Sequence, residues 1–256
     1  MLRTLRVAVL LVVLAAVAGE SYLSRLRTTD WDAPLWVAVY PINADGSPVT
    51  RAYIEGLDDA AFEPIEAFLS REARRYGLSL AHPMVLRLAP EVQELPPEPP
   101  RDGPFAIMWW SLKMRYWAWS RTRDAGGPPA NITLFVKYHD PARHQRLAHS
   151  VGLQKGLLGV VNAYASRGMR GQNQVIVAHE LLHIVGATDK YDMQTLQPIW
   201  PEGYAEPDRS PRHPQRRAEL MGGRIPLSAT RAEIPRSLRQ VVVGPVTAAE
   251  IRWLRP

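Results

Sequence analysis

Apolar and polar positions follow two rhythms along this chain, one with period two and one close to 3.6. "PLWVAVYPI" (34–42) is a short run rich in Val, Trp and Tyr that reads as a strand, and "NADGS" after it supplies turn residues. "DDAAFEPIEAFLSREARRYGL" (58–78) has apolar residues at helical spacing and ends at Gly77. An amphipathic helix is predicted there, with Pro64 in its first turns. "PMVLRLA" (83–89) is a second strand, and six prolines make 90–104 a loop. "FAIMWWSLKMRYWAWSR" (105–121) looks helical and holds four of the eight tryptophans. Such a stretch fits a membrane interface or a stacking surface. Packing against a sheet is the plainer reading, because large aromatics dominate cores. "ITLFVKYHD" (132–140) is the clearest strand, and 146–153 and 155–165 read as two more that pair antiparallel. This order predicts an α/β or α+β fold. Its sheet is mixed, mostly parallel and five-stranded, with an antiparallel edge strand and helices packed against it.

The first twenty residues break both rhythms. "MLRTLRVAVLLVVLAAVAGE" places two arginines before an unbroken apolar run from Val7 to Gly19, and Ala16-Val17-Ala18 fits a small-x-small cleavage site. This is the layout of a secretory signal. The run is 13 residues, short for a membrane span, and a retained anchor is the second form of the same reading. Both place the remainder outside the cytoplasm, in the periplasm or another extracytoplasmic space, with membrane contact through this segment. Residues 21–33 read as a polar linker and 34–256 as one folded domain, a length sufficient for one sizeable core.

Composition narrows the chemistry. The net charge is +6 and 27 of the 31 basic residues are arginine. They are scattered and form no tract or stripe, which argues against a nucleic-acid partner and suits an anionic lipid surface or simple solvation. There is no cysteine. Disulfides, thiolate ligands and cysteine nucleophiles are excluded, so any metal must be held by His, Asp or Glu.

"NQVIVAHELLHIVG" (173–186) carries the strongest candidate chemistry. It is apolar almost all round except for His179, Glu180 and His183, which marks a buried helix. Asn173 is the expected N-cap and Gly186 the stop. His179 and His183, four apart, project from one face and can meet at one ion. Glu180 lies about 100° round the helix, placed to reach a water without being a ligand. A catalytic zinc takes three protein ligands. Asp189, six residues after His183, can swing back to the ion once Gly186 turns the chain.

"HELLHIVGATD" resembles the H-E-x-x-H-x-x-G-x-x-H/D motif of the metzincin zinc peptidases. Most of that clan have histidine last. Aspartate there is similar to the small snapalysin-type enzymes, and carboxylate is an accepted zinc ligand. The resemblance implies Zn²⁺ on His179, His183 and Asp189, with Glu180 as general base. It also implies a methionine turn under the metal, matched by Met221 in "AELMGGRIP", and a C-terminal helix after it. "TAAEIRWL" (247–254) opens with a capping box, Thr247 to Glu250. The segment 147–153 is the candidate edge strand bordering a substrate cleft. Glu202, 19 residues after His183, is a competing ligand, but "PIWPEGYAEP" is poor helix material. His213 reads as a loop residue, and His82, His139, His144 and His149 as surface or sheet positions. Tyr191 is an auxiliary candidate, as oxyanion donor or, more plainly, as packing under the helix.

The expectation is a zinc-dependent endopeptidase acting on protein or peptide substrates. Two alternatives use the same residues: a zinc-stabilised module that binds peptides or envelope proteins without cutting them, and a zinc amidase acting on cell-wall peptides. The sequence leaves the oligomeric state open.

Overall fold

Strand β1 (Leu35–Asn43) is buried along nearly its whole length because neighbours flank it on both sides. The computed structural model describes residues 29–100, 103–148, 150–153 and 156–254. β1 pairs in parallel with β2 (Met84–Leu88) and β3 (Ile132–His139), and β3 pairs in parallel with β5 (Leu158–Tyr164). β4 (Val151–Leu153) closes the sheet as an antiparallel edge, giving the order β2-β1-β3-β5-β4. The α/β architecture and the mixed, mostly parallel five-stranded sheet are as the pattern predicts. The edge strand is shorter than 146–153, and the antiparallel pairing with β5 is present.

Alternation along the strands divides the interior in two. Val37 and Val39 of β1, with Ile132, Leu134 and Val136 of β3, face a large core shared with α2 (Glu63–Arg75) and α4 (Arg170–Ile184). Ala38, Tyr40, Ile42 and Phe135 face the other way, onto α3 (Pro104–Ala125). This is the period-two signature of a sheet covered on both faces.

Helix α2 buries Ile65, Phe68, Leu69 and Ala73 at helical spacing. It starts five residues later than the sequence pattern suggests. Pro64 lies in its first turn, where a missing N–H costs nothing. An unanticipated helix, α1 (Pro48–Glu55), precedes it. There Ser47 Oγ accepts from the Thr50 N–H at 3.1 Å, an N-cap that the turn reading of "NADGS" conceals.

Residues 29–33 are part of the fold rather than linker. Trp31 is buried, its ring 5.9 Å from that of Trp253, and its Nε1 donates to the Ile251 carbonyl at 2.7 Å. The signal or anchor segment 1–20 and the linker up to residue 28 lie outside the described residues. No helix among the described residues is long and apolar enough to cross a membrane.

After α4 the chain carries two small sheets. β6 (Ala218–Glu219) pairs in parallel with β9 (Val241–Val242), and β7 (Ile225–Pro226) antiparallel with β8 (Ala232–Glu233). The expected C-terminal helix is α5 (Pro245–Glu250), short and without a capping box. Thr247 Oγ1 donates instead to Glu219 at 2.8 Å, and Glu250 reaches the segment after α4.

Candidate metal centre

Helix α4 begins three residues before Asn173, with no side-chain cap. Asn173 has another task. Its Oδ1 accepts from the Tyr164 N–H at 3.0 Å and its Nδ2 donates to the Tyr164 carbonyl at 2.8 Å, fastening the helix to the end of β5. Val177, Ala178, Leu181, Leu182 and Ile184 are buried below. That packing fixes the rotation of the helix and the direction of its histidines.

The two imidazoles are oriented by backbone carbonyls. His179 Nδ1–H donates to Leu220 O and His183 Nδ1–H to Ala187 O, each at 2.9 Å. A carbonyl can only accept, so both neutral rings are left with a lone pair on Nε2. Those two Nε2 atoms face each other at 3.0 Å. Asp189 Oδ1 joins them at 3.1 Å from His183 Nε2 and 3.2 Å from His179 Nε2. Gly186 makes this convergence possible. Its φ of +111° turns the chain sharply after the helix, so that the Ala187 N–H returns to Leu182 O while Ala187 O meets His183.

Three electron-rich atoms this close repel one another unless a positive charge lies between them. Among the described residues, His179, His183 and Asp189 form the only cluster of three or more His, Asp or Glu side chains able to hold a metal ion. A tetrahedral ion with bonds of ~2.0–2.1 Å puts its ligand atoms roughly 3.3 Å apart. The observed 3.0–3.2 Å fits that donor set. The nitrogen-outward tautomers, each fixed by a carbonyl, are the outer-shell arrangement that metal-binding histidines use.

The charges follow. Burial works against an imidazolium at His179, but Asp189, Glu180 and the Leu220 carbonyl outweigh it and its pKa is raised. Burial also works against the Asp189 carboxylate, yet the two histidines hold it well below the usual carboxylate range. Glu180 goes the other way, raised chiefly by burial against the opposing pull of the histidines. It is only 6% exposed, and its Oε2 has no hydrogen-bond partner. Glu180 is not part of the ligand cluster, as its position on the helix requires.

Edge strand β4 borders these residues. A Cβ on Gly152 would stand 2.8 Å from His183 Cβ and 3.2 Å from Glu180 Oε2, so only glycine lets the strand lie this close.

The Asp189 segment is held from three sides. Glu250 accepts from the Thr188 N–H at 2.9 Å and from Thr188 Oγ1 at 2.7 Å. Lys190 Nζ, almost fully buried, donates to both Glu250 oxygens at 2.8 Å and to the Thr188 carbonyl at 2.7 Å. The Lys190 N–H donates to Met221 O at 2.9 Å, and its carbonyl accepts from Ile199 at 2.7 Å. Met221 is therefore adjacent in structure to the ligand segment, its side chain wholly buried in the larger core. Beneath this turn lies Glu219, fully buried, accepting from the Gly222 and Gly244 N–H groups and from Thr247 Oγ1.

Glu219, Glu250 and Lys190 are site-shaping residues that sequence reasoning missed. The one available signal was a lone acid inside the apolar run of "AELMGG". Tyr191 is half-buried with its ring 6.4 Å from that of His179, and burial and Asp189 push its hydroxyl up to about 12. Glu202 and His213 are outside the ligand cluster, and His213 Nε2 pairs with the Tyr204 hydroxyl at 3.1 Å. His139 pairs with Asn162, His82 is exposed, His144 is half-buried with its ring 5.0 Å from that of His139, and His149 lies outside the described residues.

A cavity of about 220 Å³ opens beside His179. Val175, Ile176, Leu196, Leu220 and Ile234 make it apolar, and Arg224 contributes a guanidinium. No protein-family model matches the chain, and a search of the curated proteins found no match.

Proposed function

We propose that the protein is a zinc-dependent endopeptidase of the metzincin type. One observation carries the reading: two carbonyl-oriented imidazole nitrogens and a carboxylate oxygen converge within 3.2 Å, beside a buried glutamate with an unpartnered oxygen. His179, His183 and Asp189 hold the ion. Zn²⁺ in such a site acts as a Lewis acid on the scissile carbonyl and acidifies water.

The protein's own residues do the rest. Glu180 Oε2 accepts a proton from the attacking water as the new C–O bond forms. It returns that proton to the amine nitrogen as the C–N bond breaks. The raised pKa that burial gives Glu180 suits a group that must both accept and release a proton. The Tyr191 hydroxyl, kept protonated, bonds Asp189 and steadies that ligand beside His179. The substrate lies extended along β4, which is the last strand of its sheet and has no strand on its outer side among the described residues. The cavity beside His179 has room for one large apolar side chain rather than a drug-sized ligand. Glu180 weighs against a non-catalytic zinc module, because a structural site needs no base.

The test is elemental analysis of the purified protein beside Glu180→Gln, His183→Ala and Asp189→Ala, with cleavage of denatured protein substrates. One zinc per chain, lost in the ligand variants but kept in Glu180→Gln together with loss of cleavage, is the expected result. Full cleavage by Glu180→Gln would overturn the mechanism.

A further inference from the structure

Helix α3 covers one face of the sheet with only part of its apolar surface. Trp110, Met114, Trp117 and Ala118 pack inward on Tyr40, Ile42 and Phe135. On the opposite side Phe105, Met108, Trp109, Leu112, Tyr116 and Trp119 recur at intervals of three and four residues, a second stripe along the same helix. All are more than half exposed, up to 80% at Phe105. A continuous outward row of this kind is not the scatter of single apolar residues found on ordinary surfaces.

Its charges are one-sided. Lys113 Nζ sits 5.9 Å from the centre of the Trp109 ring and the Arg123 guanidinium 5.3 Å from that of Trp119. The helix contains four basic residues and a single acid, Asp124, next to its C-terminal end. Tryptophan and tyrosine with basic neighbours are the residues that favour the headgroup level of a bilayer. A helix with such a face, not long and apolar enough to cross, lies in the interface plane instead. Retained as an anchor, the apolar run Val7–Gly19 would hold the domain at the same surface. The ten residues from Glu20 to Thr29 span at most ~33–36 Å extended, enough to let the domain rest close to that surface.

We propose that the outward stripe of α3 docks the domain on an anionic bilayer, burying Phe105, Trp109, Leu112, Tyr116 and Trp119 at the headgroup boundary. The inference is independent of the peptidase reading, because α3 lies across the sheet from the metal centre.

The chain has no cysteine, so one introduced at an exposed position carries a unique label. The full-length protein bearing Leu112→Cys, labelled with a polarity-sensitive dye, is mixed with phosphatidylcholine vesicles containing roughly one third phosphatidylserine as the anionic headgroup. Glu63→Cys, exposed on α2, is the control. The expected result is a blue shift and about two-fold quenching by brominated lipid for Leu112→Cys, as befits a helix ~5–10 Å into the boundary. No change is expected for Glu63→Cys, and the response weakens on pure phosphatidylcholine and in Trp109→Ser with Trp119→Ser. Membrane-bound protein whose Leu112→Cys label stays aqueous would overturn the proposal. A label already buried without vesicles also overturns it. If that burial rises with protein concentration, the stripe is a contact between copies. If it does not, the chain's own apolar segment covers it.

Discussion

Helices α3 and α4 are both apolar on nearly every side, yet they have opposite fates. Around α4, strands β4 and β5, helix α2 and the turn at Leu220 leave only His179, Glu180 and His183 as polar side chains between Val175 and Ile184, and the two histidines converge on one point with Asp189. Around α3, the sheet covers one side and nothing among the described residues covers the other. All-round hydrophobicity therefore does not distinguish a helix at the centre of a domain from one at its margin. The polar exceptions do. On α4 the two histidines sit one turn apart on a single face with Glu180 beside them, whereas on α3 Lys113 and Arg123 lie against tryptophans.

The sharpest way to test this contrast is to alter the exceptions on α4. Glu180→Gln is expected to lower kcat for peptide cleavage by about 10²–10⁴-fold, the usual contribution of a general base, with metal content unchanged. Steady-state assays beside elemental analysis check this. The apolar positions give the next largest effect. Leu181→Ala, fully buried on α4, is expected to cost about 2–5 kcal/mol in urea unfolding. Leu112→Ala, on the outward face of α3, should stay within about 0.5 kcal/mol of the parent. Equal losses at the two positions would mean the outward stripe is buried in solution.

A smaller effect is expected one step removed from the ligands. Glu250→Gln keeps the shape of the side chain but weakens its hold on Lys190 and Thr188 around Asp189. Metal affinity by chelator competition should fall about 10–100-fold, as for other outer-shell partners. The smallest effect concerns acid stability. Asp45 accepts from the Asp140 and Ser47 N–H groups, and although burial opposes its charge these bonds lower its pKa to about 2. A depressed carboxylate contributes stability above its unfolded pKa and loses it as pH falls through the folded one. Asp45→Asn should remove about 1–2 kcal/mol at neutral pH and flatten the acid limb of the unfolding profile between about pH 4 and 2.

The site was legible where one helical turn contains it. His179, Glu180, His183 and the turn at Gly186 follow from local spacing, as do the principal strands. What escaped was polar chemistry that acts over long range. Asn173 has the composition of an N-cap but binds Tyr164. Thr247 and Glu250 have the spacing of a capping box, yet one binds Glu219 and the other binds Lys190 and Thr188. Local rules assign such side chains to their own helix, and the tertiary fold offered better-placed donors and acceptors elsewhere. Trp31 falls in a stretch with the composition of a linker for a similar reason, since its partners Ile251 and Trp253 lie more than 200 residues away.

The placement of α3 and α4 across one sheet has a geometric consequence. Packed layers of this kind stand roughly 10 Å apart. With α3 resting on lipid, the scissile position would be held on the order of 20 Å above it. On the two readings proposed above, the sheet would act as a spacer that sets a minimum height for cleavage. Bonds in loops and tails that rise well clear of the bilayer would then come within reach, and bonds at its surface would not.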